Sequence, residues 1–94
     1  MTIHHIIKPA TQNAKHIAVV YIGDCTIMDQ VDLCYYIKEK LQLGDIFYSD
    51  WIWDAFQGLI RIEAQFGVEH TALDEAVRDI IQGYVKSKQE AKAC

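Results

Sequence analysis

Residues 50–66 constrain the fold most, because they are apolar over more of a helical wheel than one packing surface needs. At 100° per residue their apolar side chains cover roughly 220°, whereas a helix on the surface of a small domain needs little more than about 100°. Ser49 is a suitable N-cap and Gly67 a suitable end. The pattern predicts a central helix over 49–66, packed on two sides or facing another chain with its second side.

The polar stripe of this predicted helix holds two acids bordered by both tryptophans of the chain. Asp50 and Asp54 stand four residues apart on the stripe, which also carries Gln57, and Trp51 and Trp53 lie at its opposite edges. One interpretation is a solvated acidic stripe on a buried helix. The other is a recognition stripe with aromatic anchors, because tryptophan and tyrosine often dominate binding energy.

Residues 29–43 have the period of an ordinary amphipathic helix. Asp29 is the predicted N-cap, and Gly44 stands where a C-terminal cap needs positive φ. The predicted buried stripe consists of Leu33, Cys34, Ile37 and Leu41.

A third helix is predicted over 71–86. Thr71 and Asp74 have the spacing of a capping box. The tail at 87–94 has helix formers but no apolar stripe, so we expect it to fray. The predicted buried face consists of Leu73, Ala76, Val77, Ile80, Ile81 and Tyr84.

The first 28 residues form a strand or hairpin region. Residues 15–21 are rich in β-branched side chains and predict a strand, followed by a turn and a short returning strand at 26–28. An earlier strand at 3–7 has a similar composition. The whole chain, 1–94, is therefore predicted to be a single α+β domain, mostly helical, with a small N-terminal hairpin or sheet packed against three helices.

Charge is concentrated in the middle of the chain. The net charge is −4, and residues 41–77 hold seven acidic side chains against one base, Arg61, for a net charge of −6. A protein of this balance is not expected to bind nucleic acid directly, because such binding neutralises phosphates with basic side chains. A focused negative field instead favours a partner protein with a basic surface.

Cysteine usage and hydropathy predict a cytoplasmic protein. Cys25, Cys34 and Cys94 are an odd number without C-x-x-C spacing, which favours reduced thiols over a Cys25–Cys34 disulfide. The N-terminal residues do not resemble a leader, and no apolar run is long enough to span a membrane.

Motifs for catalysis, cofactors or metal are not found in the sequence. Adjacent histidines on a strand point to opposite faces, so His4 and His5 do not chelate together, and His16 and His70 lack zinc spacing. Cys25 in a turn could serve as a nucleophile, but a plain turn cysteine is the simpler interpretation. We therefore predict a protein that is not an enzyme and holds neither cofactor nor metal.

Residues 17–60 resemble the barstar family of ribonuclease inhibitors, through the segments VVYIGDCT, DLCYYIKEKLQL, FYSDW and WDAFQGL. The resemblance implies that Tyr48 matches the family's loop tyrosine and that Asp54 matches the first acidic contact on its inhibitory helix. The second acidic contact falls on Gly58, which has no side chain. The family's two later strands have no clear counterpart after Gly67.

These observations predict a small acidic protein that binds and inhibits a nuclease or other nucleic-acid-handling enzyme by occluding a basic surface. An immunity protein against a nuclease toxin and a phage inhibitor of a defence enzyme, such as an anti-restriction or anti-CRISPR protein, both fit. The alternative is a structural or adaptor subunit, such as a homodimer, that assembles through the wide apolar face of helix 50–66. The predicted contact residues are Asp45, Tyr48, Asp50, Trp51, Trp53, Asp54 and Gln57.

Overall fold

Two pairs of strands are each followed by a helix in the computed structural model, which describes residues 1–8, 16–46, 48–65 and 67–93, with side chains as far as Gln89. Within these ranges there are four strands and two helices. In chain order they are β1 (Thr2–Lys8), β2 (Ile17–Gly23), α1 (Ile27–Leu43), β3 (Tyr48–Asp54), β4 (Leu59–Ala64) and α2 (His70–Ala93).

The four strands form one antiparallel sheet in the order β1-β2-β4-β3. Strands β2 and β4 are central, and β1 and β3 are the edges. Both helices pack on the same face, which we call the covered face; the opposite one is the open face. The core between sheet and helices consists of Ala18, Val20, Ile22, Leu33, Cys34, Ile37, Leu41, Ile60, Ile62, Ala64, Leu73, Val77, Ile81 and Tyr84.

The predicted central helix over 49–66 is wrong, because this segment is the β3–β4 hairpin. Ser49 caps no helix; it lies in β3, where its hydroxyl donates to the carbonyl of Glu63. Burial in β4 alternates, with Ile60 and Ile62 buried and Arg61 between them exposed. Two helices and a four-stranded sheet thus replace the predicted three helices and mostly helical class. Phe66, the last residue of the predicted helix, lies outside the described residues.

Helix α1 is confirmed and begins earlier than expected. Thr26 is its N-cap: its side chain accepts from the Asp29 amide at 3.2 Å, and the Asp29 carboxylate accepts from the Thr26 amide at 3.1 Å. Asp29 is therefore the third helical residue of a capping box, and the predicted returning strand at 26–28 is wrong. Gly44 ends the helix with φ −88°, and Asp45 takes the positive φ expected of that glycine.

The other predicted elements hold with shifted ends. Helix α2 begins at His70, so Thr71 lies inside its first turn and is not its N-cap. It continues to Ala93, through the tail predicted to fray, and its apolar face is buried or half-buried as expected. Both N-terminal strands are present as β1 and β2. Lys15, in the predicted second strand, and Cys94 lie outside the described part of the chain.

Candidate functional site

Strand β3 carries five of the seven predicted contact residues and forms one edge of the sheet. It pairs with β4 on one side, and within the described ranges its other backbone edge is unpaired. Such an edge presents free N–H and C=O groups to solvent or to a partner. The predicted contact residues on β3 therefore lie at an edge of the sheet, where a partner can reach the backbone.

Side-chain alternation in β3 separates the acids from the tryptophans. Trp51 and Trp53 stand opposite buried isoleucines of β4, on the covered face. Asp50 and Asp54 stand opposite Glu63 and Leu59, on the open face. The prediction that the tryptophans frame the acids on one surface is therefore wrong, because a strand turns successive side chains to opposite sides.

Trp53 joins β3 to helix α1. Its indole N–H donates to the Gln30 side-chain oxygen at 3.0 Å, and Gln30 is buried in α1. A buried amide needs a partner, so this bond satisfies Gln30 and ties β3 to the helix. Trp53 is half-buried, which leaves little of its ring for an outside contact.

The predicted polar contacts are divided among three places. Asp54 accepts hydrogen bonds from the amides of Phe56 and Gln57, at 3.0 and 3.2 Å, and thereby shapes the turn at 55–58. Gln57 is exposed in this turn. Asp45 belongs to a different turn, after α1, and Asp50 is exposed on the open face.

Phe56, at the tip of the β3–β4 hairpin, is the residue that the sequence reading missed. Its side chain is 103% exposed, at full accessibility. The tip is held in place, because the Ile22 amide donates to the Gly58 carbonyl at 2.8 Å and Gly58 has φ +64°. A glycine inside a predicted helix was the available signal for a turn here.

The open face has a centre that is apolar except for Arg61, between two edge strands that carry charged side chains. Its middle row runs across the four strands and consists of Ile6, Val19, Arg61 and Ile52. The flanking rows consist of His4, Tyr21, Leu59 and Asp54, and of Lys8, Ile17, Glu63 and Asp50. Val19 is only 4% exposed although both helices lie on the other face. On the edge strands, bases lie along β1 and acids along β3, and β4 adds one base, Arg61, and one acid, Glu63.

On the covered side of β3, aromatic rings surround a lysine. The Lys38 ammonium lies 3.8 Å from the ring centre of Trp51, 5.3 Å from that of Tyr35 and 5.9 Å from that of Tyr48. Gln42 donates to the Tyr48 hydroxyl at 3.3 Å. Tyr48 and Trp51, both predicted contact residues, therefore meet at one place that is separate from the acids.

Histidines form a separate group where β1 and β2 meet α2. His5 and Asp74 are 2.9 Å apart, and Arg78 pairs with the same carboxylate. The hydrogen bond from His5, helped by the charge of Arg78, lowers the pKa of Asp74. The rings of His16 and His70 meet edge to face at 5.7 Å. No cluster of three or more His, Cys, Asp or Glu side chains suited to a metal occurs among the described residues.

The two described cysteines are free thiols, so they do not form the disulfide considered above. Cys34 is buried in the core, and this burial raises the pKa of its thiol. Cys25 packs against the same core, and no hydrogen bond joins it to a histidine in the described structure. A buried thiol of raised pKa, such as that of Cys34, does not resemble an activated nucleophile.

Comparison of the chain with protein-family models, curated proteins and solved structures yields no match. The resemblance to the barstar family thus stays a prediction. Its expected inhibitory helix is here a hairpin, with Asp54 at the end of a strand. No described helix has the length and apolar character required to cross a bilayer.

Proposed function

We propose that the protein is a small acidic binding protein that inhibits its partner by covering a basic surface, and that the β3–β4 hairpin makes the contact. One observation carries the proposal: exposed Ile52 and Phe56 flank the acidic end of an open sheet face. Ile52 is 48% exposed and Phe56 fully so. Apolar anchors beside polar neighbours are typical of the residues that dominate binding energy.

The hairpin tip has the rigidity that such a contact needs. Asp54 holds the amides of the turn, and Ile22 holds the carbonyl of Gly58. Phe56 is thus presented on backbone that is already ordered. A preorganised anchor loses less conformational entropy on binding than a mobile one, and more of its contact energy appears as affinity.

The acidic charge of the β3–β4 hairpin indicates the charge of the partner's surface. Three acids, Asp50, Asp54 and Glu63, lie on the open face of the hairpin against one base, Arg61. Carboxylates placed together speed association with a basic surface and disfavour an acidic one. Nucleases and other nucleic-acid-handling enzymes have basic surfaces because they bind phosphates. An immunity protein and a phage anti-defence inhibitor, of the anti-restriction or anti-CRISPR kind, share this chemistry.

The experiment compares the wild type with Phe56→Ser and Asp50→Lys as baits in an extract of the native host. We expect one retained protein to be lost from both variants, with affinity reduced about thirtyfold by Phe56→Ser. Adding wild-type protein should then inhibit the nucleic-acid activity of that partner, and added salt should weaken the inhibition.

Asp79→Lys, an exposed substitution on α2, is the matched control for the charge change. It should retain the partner as the wild type does. Equal retention by all four proteins, or a partner whose activity is unaffected by saturating wild type, would contradict the proposal.

A homodimer is the second candidate, through the open face and not through the helix predicted at 50–66. The face is self-complementary, since Lys8 and His4 lie on the β1 edge and Asp50 and Asp54 on the β3 edge. A second copy turned about an axis parallel to the strands would set Lys8 over Asp50 and Ile6 over Ile52. Closed twofold pairing of this kind is the commonest form of protein oligomer.

Sedimentation velocity separates the two candidates. A dimer that is weakened by Lys8→Glu and restored by Lys8→Glu combined with Asp50→Lys would support the homodimer. A wild type that stays monomeric at high concentration would exclude it and leave the open face free for a different protein.

A further inference from the structure

We propose that Tyr35, Tyr48 and Trp51 form an aromatic cage that binds a methylated ammonium group, and that Lys38 of the chain fills this cage when no ligand is bound. The Lys38 ammonium lies within 6 Å of all three ring centres, at 3.8 Å from that of Trp51. That separation is the range in which the negative face of an aromatic ring attracts a cation. The lysine thus marks the position of the ligand's charge.

A β-bulge in β3 brings two of the rings together. The register shifts between Tyr48, which pairs with Ala64, and Asp50, which pairs with Glu63. Ser49 is the extra residue, so Tyr48 and Trp51 share the covered side although they are three positions apart. In a regular strand such residues would point to opposite faces. Bulges that redirect a side chain are frequent next to functional sites.

The three-ring arrangement differs from the other lysine–tyrosine contacts of the molecule. Lys40 lies 5.5 Å from the ring centre of Tyr36, and Lys88 lies 5.5 Å from that of Tyr84. Each of these lysines meets one ring, as is common on protein surfaces. Lys38 alone among the described residues meets three, contributed by both α1 and β3.

Aromatic rings are the main partners of the Lys38 charge. No carboxylate of the described residues lies within ion-pair distance of its ammonium. A site built for a salt bridge would supply an acid, whereas a site for a large cation supplies ring faces. The rings therefore define the chemistry of the site.

A methylated cation can displace the Lys38 ammonium from the cage, because it binds the aromatic rings more favourably. A primary ammonium is compact and strongly hydrated, so it loses much by leaving water for the rings, whereas methyl groups reduce that hydration and add contact with the ring faces. The cage is reachable from solvent, because Tyr35 is 63% exposed and Trp51 36% exposed. The lysine stem is flexible and can turn aside on the helix surface.

The test is a titration with tetramethylammonium chloride, followed by the NMR shifts of the two indole N–H groups, against sodium chloride at equal ionic strength. Trp51 should shift saturably, with a dissociation constant in the millimolar range. Trp53, whose indole N–H donates to Gln30, is the internal control and should not respond. Lys38→Met should tighten binding about two- to fivefold, because the competing cation is removed.

Tyr35→Leu, an exposed change on the outside of α1, should weaken binding without unfolding the protein, and Phe56→Leu should not alter it. A trimethyllysine peptide and phosphatidylcholine vesicles then distinguish a modified protein from a lipid headgroup as the source of the cation. Equal shifts of both indoles, no saturable shift in Lys38→Met, or unchanged affinity in Tyr35→Leu would overturn the cage. None of these readouts needs the inhibitor's partner, so the two proposals fail separately.

Discussion

The two faces of the sheet differ in what covers them, although the strands supply apolar side chains to both. On the covered face Val20, Ile60 and Ile62 are fully buried beneath the helices. On the open face Ile6 and Ile52 remain exposed, and among its described side chains only Val19, in a central strand, is buried. Stability thus resides mainly on one side of the sheet. The other side is free to vary without unfolding the domain, which suits a contact surface.

The largest loss of stability should come from Ile62→Ala, on the covered face. Its side chain is fully buried, so we expect a loss of about 2–5 kcal/mol from transfer and cavity terms. Arg61→Ala changes the preceding residue, which lies on the open face, and should lower the free energy of unfolding by less than about 0.5 kcal/mol. Denaturant unfolding of both variants measures the two losses. Similar losses would show that the open face also stabilises the fold.

Two glycines with positive φ offer a second comparison: Gly58 in the hairpin turn and Gly67 between β4 and α2. A Cβ at Gly58 would lie 2.3 Å from the carbonyl oxygen of Ile22, at φ +64°. Gly67 also has positive φ, +95°, but a Cβ there meets nothing within 4 Å. Gly58→Ala should therefore cost about 1–3 kcal/mol of strain and an added clash, and Gly67→Ala the strain alone. If both variants unfold at the same denaturant concentration, the tip is not pinned as described.

The covered face also has a pH-dependent tie, between His5 of β1 and Asp74 of α2. Because folding lowers the pKa of Asp74 from its ordinary value of 3.8, the ionised carboxylate favours the native state. This stability is fully present above pH 4 and is lost as pH falls through the lowered pKa. Asp74→Asn should be less stable than the wild type at neutral pH, and the gap should close in acid.

Asp79→Asn, an exposed acid on the same helix, is the control for that pH profile. Thermal unfolding from about pH 6 down to pH 2 would record both variants. A constant gap between Asp74→Asn and the wild type across that range would contradict a role for the ionised carboxylate.

A small effect on folding is expected from Ile52→Ser on the open face. About half of this side chain is already exposed, so the free energy of unfolding should change by less than about 1 kcal/mol. Partner affinity should fall clearly, because the same side chain is a proposed anchor. A large loss of stability with unchanged binding would reverse the distinction between the two faces.

The two helices were predictable because each has a narrow apolar stripe, although both begin earlier in the chain than predicted. Leu33, Ile37 and Leu41 recur at helical spacing, and all three are buried against the sheet. The stripe from Leu73 to Tyr84 behaves in the same way. A stripe of limited width carries information about its period, since the polar positions between are as regular as the apolar ones.

The hairpin was not predictable from the wheel, for the opposite reason. When apolar residues cover most of a helical wheel, the segment fits a strand pattern as well as a helical one. The helical period of such a segment therefore does not identify a helix. Residues 59–64 do alternate, and residues 51–53 are β-formers. Gly58, between them, is the turn signal. The predicted placement of the tryptophans and acids on one surface was therefore wrong.

The sequence by itself determined the acidity of the middle segment, the two amphipathic helices and the N-terminal strands, because these depend on composition and local period. Only the tertiary structure decided which side chains share a surface. Strand geometry sent Asp50 and Trp51 to opposite faces, the bulge at Ser49 brought Tyr48 beside Trp51, and the pinned turn exposed Phe56. These placements follow from pairing within the β3–β4 hairpin and from the contact of its turn with β2, which the period of a single segment does not record.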